Sequence, residues 1–308
     1  MRHKVPLVYR DLDLIFLSPK KVLQVFFRLY EFVKKLFIYG GYLPALWGPS
    51  LNLTVCFILN ISLDFRILLI SFLLPLIVYS HDYHEDLESD AKTNPERANF
   101  LDKKRSKQLT LIYLTTMGIL LVWVFNFAII VFVIALFVMG ILYTGVLKGI
   151  TKKITAFKNF YIALIWGSWG TFLIAIYHKS SINLSFIFLF LFIYAKVIVN
   201  TIFFDLKDTK SDKKSGLKTM PAVLGIKNTI NFLKGINILT SSILIIGVYL
   251  KVLPPIALFL TLFYAYTSHY LKVGQVNPAE LSSKSFIADI EAILYPGILV
   301  LMKFIFGG

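Results

Sequence analysis

The chain has 308 residues, 57% of them hydrophobic, with a mean hydropathy of +0.74 and a formal net charge of +15. An apolar share that far above the roughly 45–50% of soluble globular domains excludes an ordinary soluble fold, and a single cysteine, Cys56, excludes an intrachain disulfide. The positive charge is not a nucleic-acid footprint, because the basic residues fall in short segments between apolar runs, which is how membrane proteins encode topology.

Residues 1–36 carry both charge signs and lack a short apolar core followed by a cleavage site, so they do not read as a signal peptide. Their apolar and basic mixture from Leu14 to Lys35 predicts an amphipathic helix lying on the membrane surface, separate from a membrane domain over 37–308. A spanning helix needs about 20 mostly apolar residues. Nine runs qualify: 38–60, 64–81, 108–126, 127–146, 159–178, 183–204, 228–248, 252–271 and 286–306. The fold class is therefore all-α, a polytopic bundle. Most of the 32 Lys and Arg fall before the first run and in alternate connections, whereas Arg66, Lys179, Lys251 and Lys303 fall on the other side. This asymmetry predicts a multi-pass protein of the cell membrane with its N-terminus in the cytoplasm.

Two acidic clusters emerge on that cytoplasmic side, after the second and sixth runs. The first, Asp82 to Asp90, holds five carboxylates in nine residues. In a helix Asp82, Asp86 and Asp90 share one face, drifting by about 40° per step. The second places Asp205, Asp208 and Asp212 on one face by the spacing i, i+3, i+7. Facing carboxylate sets suit Mg²⁺, which is commonly held by one or two carboxylates together with substrate phosphates. Arg97, Lys148, Lys152, Lys153, Lys213, Lys214 and Lys218 lie close by in sequence as bases for phosphate oxygens. Acid and base beside an apolar cavity fit a lipid diphosphate, and the fitting reaction is isoprenoid transfer: diphosphate leaves, metal and cations stabilise its charge, and water is kept from the carbocation. Aromatic side chains, 28 Phe and 16 Tyr, offer cation-π support, although most serve packing or face lipid.

At these two stretches the sequence resembles the UbiA superfamily of intramembrane prenyltransferases. The family's first motif, Asn-x-x-x-Asp-x-x-x-Asp followed by Pro-x-Arg, is matched by Asp82, Asp86 and Asp90 leading to Pro95-Glu96-Arg97. Its second, Asp-x-x-Asp-x-x-x-Asp with a following Gly, Thr and Pro, is matched by Asp205, Asp208, Asp212, Gly216, Thr219 and Pro221. The resemblance implies a nine-helix bundle around a chamber, with Asp86, Asp90, Asp205 and Asp208 holding magnesium and diphosphate and Asp212 joining them. Two departures stand out. Asp82 occupies the usual Asn slot, adding a charge beside the metal, and Tyr143 and Lys148 are one residue further apart than the family's Tyr-x-x-x-Lys. The acceptor implied is an aromatic or quinone precursor or a lipid. A terpene cyclase on the same scaffold and a cation-binding transporter are the alternatives, the latter disfavoured because its ionisable groups belong near the bilayer midplane.

Other polar residues have plainer readings. Lys196, about 13 Å before Asp205 along a helix, is either a functional group or a snorkelling one. Asp289 and Glu291 point in different directions from the start of the last run, as a base toward an acceptor or as partners of a helix N-terminus. His81 and His84 do not make a zinc site. Asn52 and Asn60 read as interhelical hydrogen-bonding groups, and Asn159, in the Lys-Asn that opens the fifth run, as a cap.

Overall fold

A computed structural model describes residues 19–85, 100, 103–145, 147–276 and 286–306, and every regular element among them is helical. The elements are α1 (Pro19–Tyr39), α2 (Tyr42–Ala45), α3 (Trp47–Leu59), α4 (Phe65–Glu85), α5 (Lys103–Val124), α6 (Phe127–Gly145), α7 (Phe157–Tyr177), α8 (Leu184–Lys214), α9 (Met220–Tyr249), α10 (Phe263–Val276) and α11 (Phe286–Phe306). Two 3-10 segments, Leu147–Lys152 and Pro255–Leu262, complete them. Among the described residues six segments are long and apolar enough to cross a membrane: α2 with α3, α4, α5, α7, α8 and α9. The apolar part of α6 is shorter.

All nine expected runs are helical, with two changes of detail. The first is broken between α2 and α3, where Pro44, Gly48 and Pro49 crowd together. The eighth is a 3-10 segment, opened by Pro254 and Pro255, that passes into α10. α1 extends to Tyr39 and exposes Leu23, Phe26, Phe27 and Tyr30.

Connections are short and stopped by residue types suited to them. Asn60 closes α3 in the left-handed conformation, and Asn183 accepts from the backbone N–H groups of Ser185 and Phe186 to start α8. Asn126 does the same for Ala128 and Ile129 in the two-residue turn between α5 and α6. Gly216, at φ 70°, ends α8 where only a residue without Cβ enters freely.

α8 is the central helix, packed between α7 and α9, with α3 bridging α7 and α11. One end of the bundle collects Asn60, which accepts from Lys303, and Asp64, which pairs with Arg66 at 2.7 Å and takes the Tyr177 hydroxyl. The Arg66 hydrogen bond holds the Asp64 carboxyl well below the usual carboxylate range. The other end collects Lys158, Asp205, Asp212 and Lys218, so the connections alternate between the two ends as the basic-residue pattern requires.

One close approach between helices follows from a proline. Pro75 inside α4 cannot donate to the carbonyl four residues earlier, which leaves the Ser71 oxygen free. The Trp169 indole of α7 donates to it at 3.1 Å, and a Cβ placed on Gly48 of α3 would stand 1.9 Å from it. Three helices therefore meet on one freed carbonyl, a use of proline that membrane helices tolerate because neighbours satisfy the backbone. Gly48→Ala should lose about 1–3 kcal/mol by overpacking, measured as a lower Tm of the purified protein in detergent, with Gly118→Ala, where a Cβ meets nothing within 4 Å, as the neutral control.

Candidate functional site

The second acidic cluster is built at the end of α8 against the start of α7. Asp205 is 4% exposed, yet both its carboxylate oxygens are taken: Lys158 Nζ lies 2.5 Å from Oδ1, and Asn159 Nδ2 donates to Oδ2 at 2.9 Å. Lys158 stands in the first turn of α7, where a cation opposes the helix dipole. Its carboxylate partner compensates for that cost. Asp212, two turns beyond Asp205 on nearly the same face, is buried and accepts the Thr219 hydroxyl at 2.9 Å. Asp208 is exposed between them.

Two loops close over this cluster. The backbone N–H of Lys218 donates to Thr151, and that of Ala156 donates to the Lys218 carbonyl, both at 2.9 Å. Lys218 Nζ reaches the Lys153 carbonyl at 3.3 Å. Lys152, Lys153, Lys214 and Lys218 are all exposed here, forming a basic rim at the acidic helix end. Pro221 sits in the first turn of α9, and Gly225 (φ 76°, ψ 164°) breaks that helix one turn later.

Of the first cluster, Asp82 is the aspartate whose side chain falls among the described residues. Asp82, Tyr83 and Asp289 all lie near enough to act on Tyr79 electrostatically, and Lys207 of α8 acts in the same way on Asp289. Three carbonyls in the opening turn of α11 are held by three different helices. Trp47 of α3 donates to Asp289, Asn200 of α8 to Ala288, and Tyr266 of α10 to Ile287, at 2.6, 3.1 and 2.7 Å. The start of α11 is thus fixed against α3, α8 and α10.

Lys196 and Glu291 form a separate buried set. They pair at 2.7 Å with side chains only 4% and 3% exposed. Lys196 also donates to Asn237 and Thr267, and Glu291 accepts from Thr267, Tyr270 and Tyr295. Lys196 is nine residues from Asp205, which at about 100° per residue places the two on opposite sides of α8. It neither snorkels nor joins the acidic cluster.

Of the other expected site residues, Asp86, Asp90 and Arg97 lie outside the described residues, as do the side chains of Lys148 and His84. Tyr143 stacks on Tyr161 with ring centroids 6.0 Å apart and stands within electrostatic reach of Lys158. Asn52 donates to the Trp169 and Gly170 carbonyls across a helix interface. Asn159 is more than a cap. Together with Lys158 it is the contribution to the site that residue patterns missed, although a lysine in a helix's first turn is itself a sign of a nearby carboxylate.

Among the described residues no three His, Cys, Asp or Glu side chains converge on one point. The donor chemistry nevertheless fits a hard cation. Oxygen ligands predominate, and two further buried oxygens beside the cluster, Asn159 Oδ1 and Thr151 Oγ1, have no hydrogen-bond partner.

Comparison with known proteins bears on the family and the fold. The model of the UbiA prenyltransferase family matches residues 103–289, a stretch that contains the second acidic cluster and begins after the first. Solved structures with the same fold include a UbiA homologue from Aeropyrum pernix K1 without ligand, 12% identical, TM-score 0.60, covering 86% of this chain and 97% of that one. A UbiA homologue from Archaeoglobus fulgidus bound to DMAPP and Mg²⁺ is 15% identical, TM-score 0.58, covering 85% and 99%. A structure of digeranylgeranylglyceryl phosphate synthase is 18% identical, TM-score 0.57, covering 89% and 97%. Curated protein sequences give no match.

The Lys196 set makes a direct prediction. Glu291→Ala leaves a buried ammonium unpaired and should cost about 3–5 kcal/mol, whereas Lys196→Met with Glu291→Leu removes both charges and should cost far less. Thermal unfolding of the single and double variants in detergent measures the difference. Equal losses would mean that the pair is not what the two side chains contribute.

Proposed function

Since the chain belongs to the UbiA prenyltransferase family, we propose that it transfers a polyprenyl group from a prenyl diphosphate to an acceptor within the membrane, releasing diphosphate. The observation that supports this reading is the buried pair of carboxylates, Asp205 and Asp212, at the end of α8, with exposed Asp208 between them, a rim of exposed lysines beside them and an apolar bundle behind.

Asp205 and Asp208, with Asp82, Asp86, Asp90 and Asp212, would hold Mg²⁺. When bound, the metal supplies neutralisation of the charge that grows on the leaving diphosphate. The residues of the chain do the rest. Lys152, Lys153, Lys214 and Lys218, with Arg97 and Lys148, offer donors to the phosphate oxygens, and their positive charge favours entry of an anionic head. Asp212 fixes the loop after α8 by accepting from Thr219, so the basic rim stays over the carboxylates. Trp47 and Trp166, packed edge to face between α3 and α7, and Trp169 in the same core help to keep water from the apolar interior. Asp289, half-buried beside Tyr79 and Lys207, is the carboxylate placed to take a proton from an acceptor entering between α4 and α8.

The acceptor classes that fit are an aromatic or quinone precursor and a lipid carrying an anionic group, the latter favoured by the basic rim. The mouth faces the cytoplasm, following the bias of Lys and Arg toward that end of the bundle.

Purified protein supplied with geranyl or geranylgeranyl diphosphate and a panel of aromatic acids and glycerol-phosphate lipids should release diphosphate only when Mg²⁺ and one acceptor are both present. Asp205→Asn and Asp208→Asn should each lower kcat by about 10²–10³-fold. Turnover at the unaltered rate in both variants would remove the carboxylates from the site. Release of a cyclic hydrocarbon without acceptor would instead mark a cyclase.

A further inference from the structure

Asp205 has no oxygen to spare. Lys158 occupies Oδ1 and Asn159 occupies Oδ2, yet the same carboxylate belongs to the set that would hold a metal. A divalent ion sits about 2.0–2.1 Å from a carboxylate oxygen when it is Mg²⁺, so an ammonium 2.5 Å from that oxygen and the metal would be like charges in near contact. The two therefore compete for the charge of Asp205.

The two donors differ in how they can yield. Asn159 is fully buried, and its Oδ1 has no hydrogen-bond partner. Turning the amide over would present that oxygen where its N–H₂ now stands, converting a donor to Asp205 into an acceptor suited to a hard cation. Lys158 has a four-carbon stem, its side chain is 22% exposed, and Asp212 and Tyr143 are within its electrostatic reach. It can move away from Asp205 while staying in the site, toward the rim where Lys153 and Lys218 meet. Its position in the first turn of α7 adds a reason for moving only to another anion, since the helix dipole there repels a cation left alone.

We propose that Lys158 is an exchangeable counter-ion: it neutralises buried Asp205 in the metal-free site, gives up the carboxylate when Mg²⁺ arrives, and then pairs with the diphosphate that the metal accompanies. Asn159 is its positioning partner and reverses its amide in the same step. The idea rests on the prenyl diphosphate reading above. It adds that metal and diphosphate binding are coupled through one lysine, so that the metal alone binds weakly and the pair binds well. An acidic site left open in the membrane would otherwise hold either uncompensated charge or an idle metal ion.

The test uses the purified full-length protein and two probes, Mg²⁺ alone and inorganic pyrophosphate at saturating Mg²⁺, each followed by calorimetry and by the rise in Tm. Lys158→Met should bind Mg²⁺ alone about 5–10-fold more tightly than the unaltered protein, since the competing cation is gone, and pyrophosphate about 10-fold more weakly, since its partner is gone. Before metal is added its Tm should be lower, and Mg²⁺ should raise it by more than it raises that of the unaltered protein. Lys158→Gln, which keeps a donor without the charge and so folds more readily, should show the same opposed changes, and Lys158→Arg should show neither. Loss of affinity for both probes, or no change in Mg²⁺ affinity, would overturn the exchange while leaving the prenyl diphosphate reading intact. Failure of the unaltered protein to bind either probe would overturn that reading and the exchange with it.

Discussion

Burying the charges of α8 is the constraint on which the rest of the bundle depends. This helix carries Lys196, Asp205 and Asp212 at 4%, 4% and 7% exposure, inside an environment where an unpaired charge costs several kcal/mol. Each is met by a partner from a different helix or loop: Glu291 on α11, Lys158 on α7 and Thr219 before α9. Because Lys196 and Asp205 face opposite ways, their partners hold α8 from two sides and set its rotation about its own axis. That rotation decides where Asp205 and Asp208 are aimed.

Apolar packing alone would not do this. Between helices in lipid there is little hydrophobic driving force, since a leucine is as comfortable against a lipid tail as against another helix. Close approach and polar contacts must supply specificity. Gly48 against the carbonyl freed by Pro75, Asn52 on the Trp169 and Gly170 carbonyls, and the three donors on the first turn of α11 are such contacts. They concentrate on α3, α7, α8 and α11, the helices that surround the acidic end, while α5 and α6 present long apolar faces outward.

The site follows the same economy. Its described carboxylates stand at the end of α8, Asp208 exposed and Asp205 and Asp212 buried, while the helix behind them is held by the buried Lys196–Glu291 pair. The loops beside them are tied by backbone bonds between Thr151, Ala156 and Lys218, with Lys218 Nζ also reaching the Lys153 carbonyl. The lysines there remain exposed and available to an anion.

The helical runs and the two acidic clusters were legible in the sequence, because each depends on local quantities: about 20 apolar residues to cross a membrane, and three or four residues between neighbours on one helical face. Even the places where segments break, at Pro44 to Pro49 and at Pro254-Pro255, have local causes. Only the tertiary structure decided the pairing. Lys158 stands 47 residues from Asp205 and Lys196 stands 95 from Glu291, and no periodicity connects residues that far apart. Spacing along a helix tells which residues share a face, whereas the face opposite them depends on how long-range packing turns each helix. So composition and spacing established a membrane bundle with two acidic mouths, and three-dimensional packing showed that Asp205 is already held by Lys158 and Asn159. Its charge is satisfied before any metal arrives.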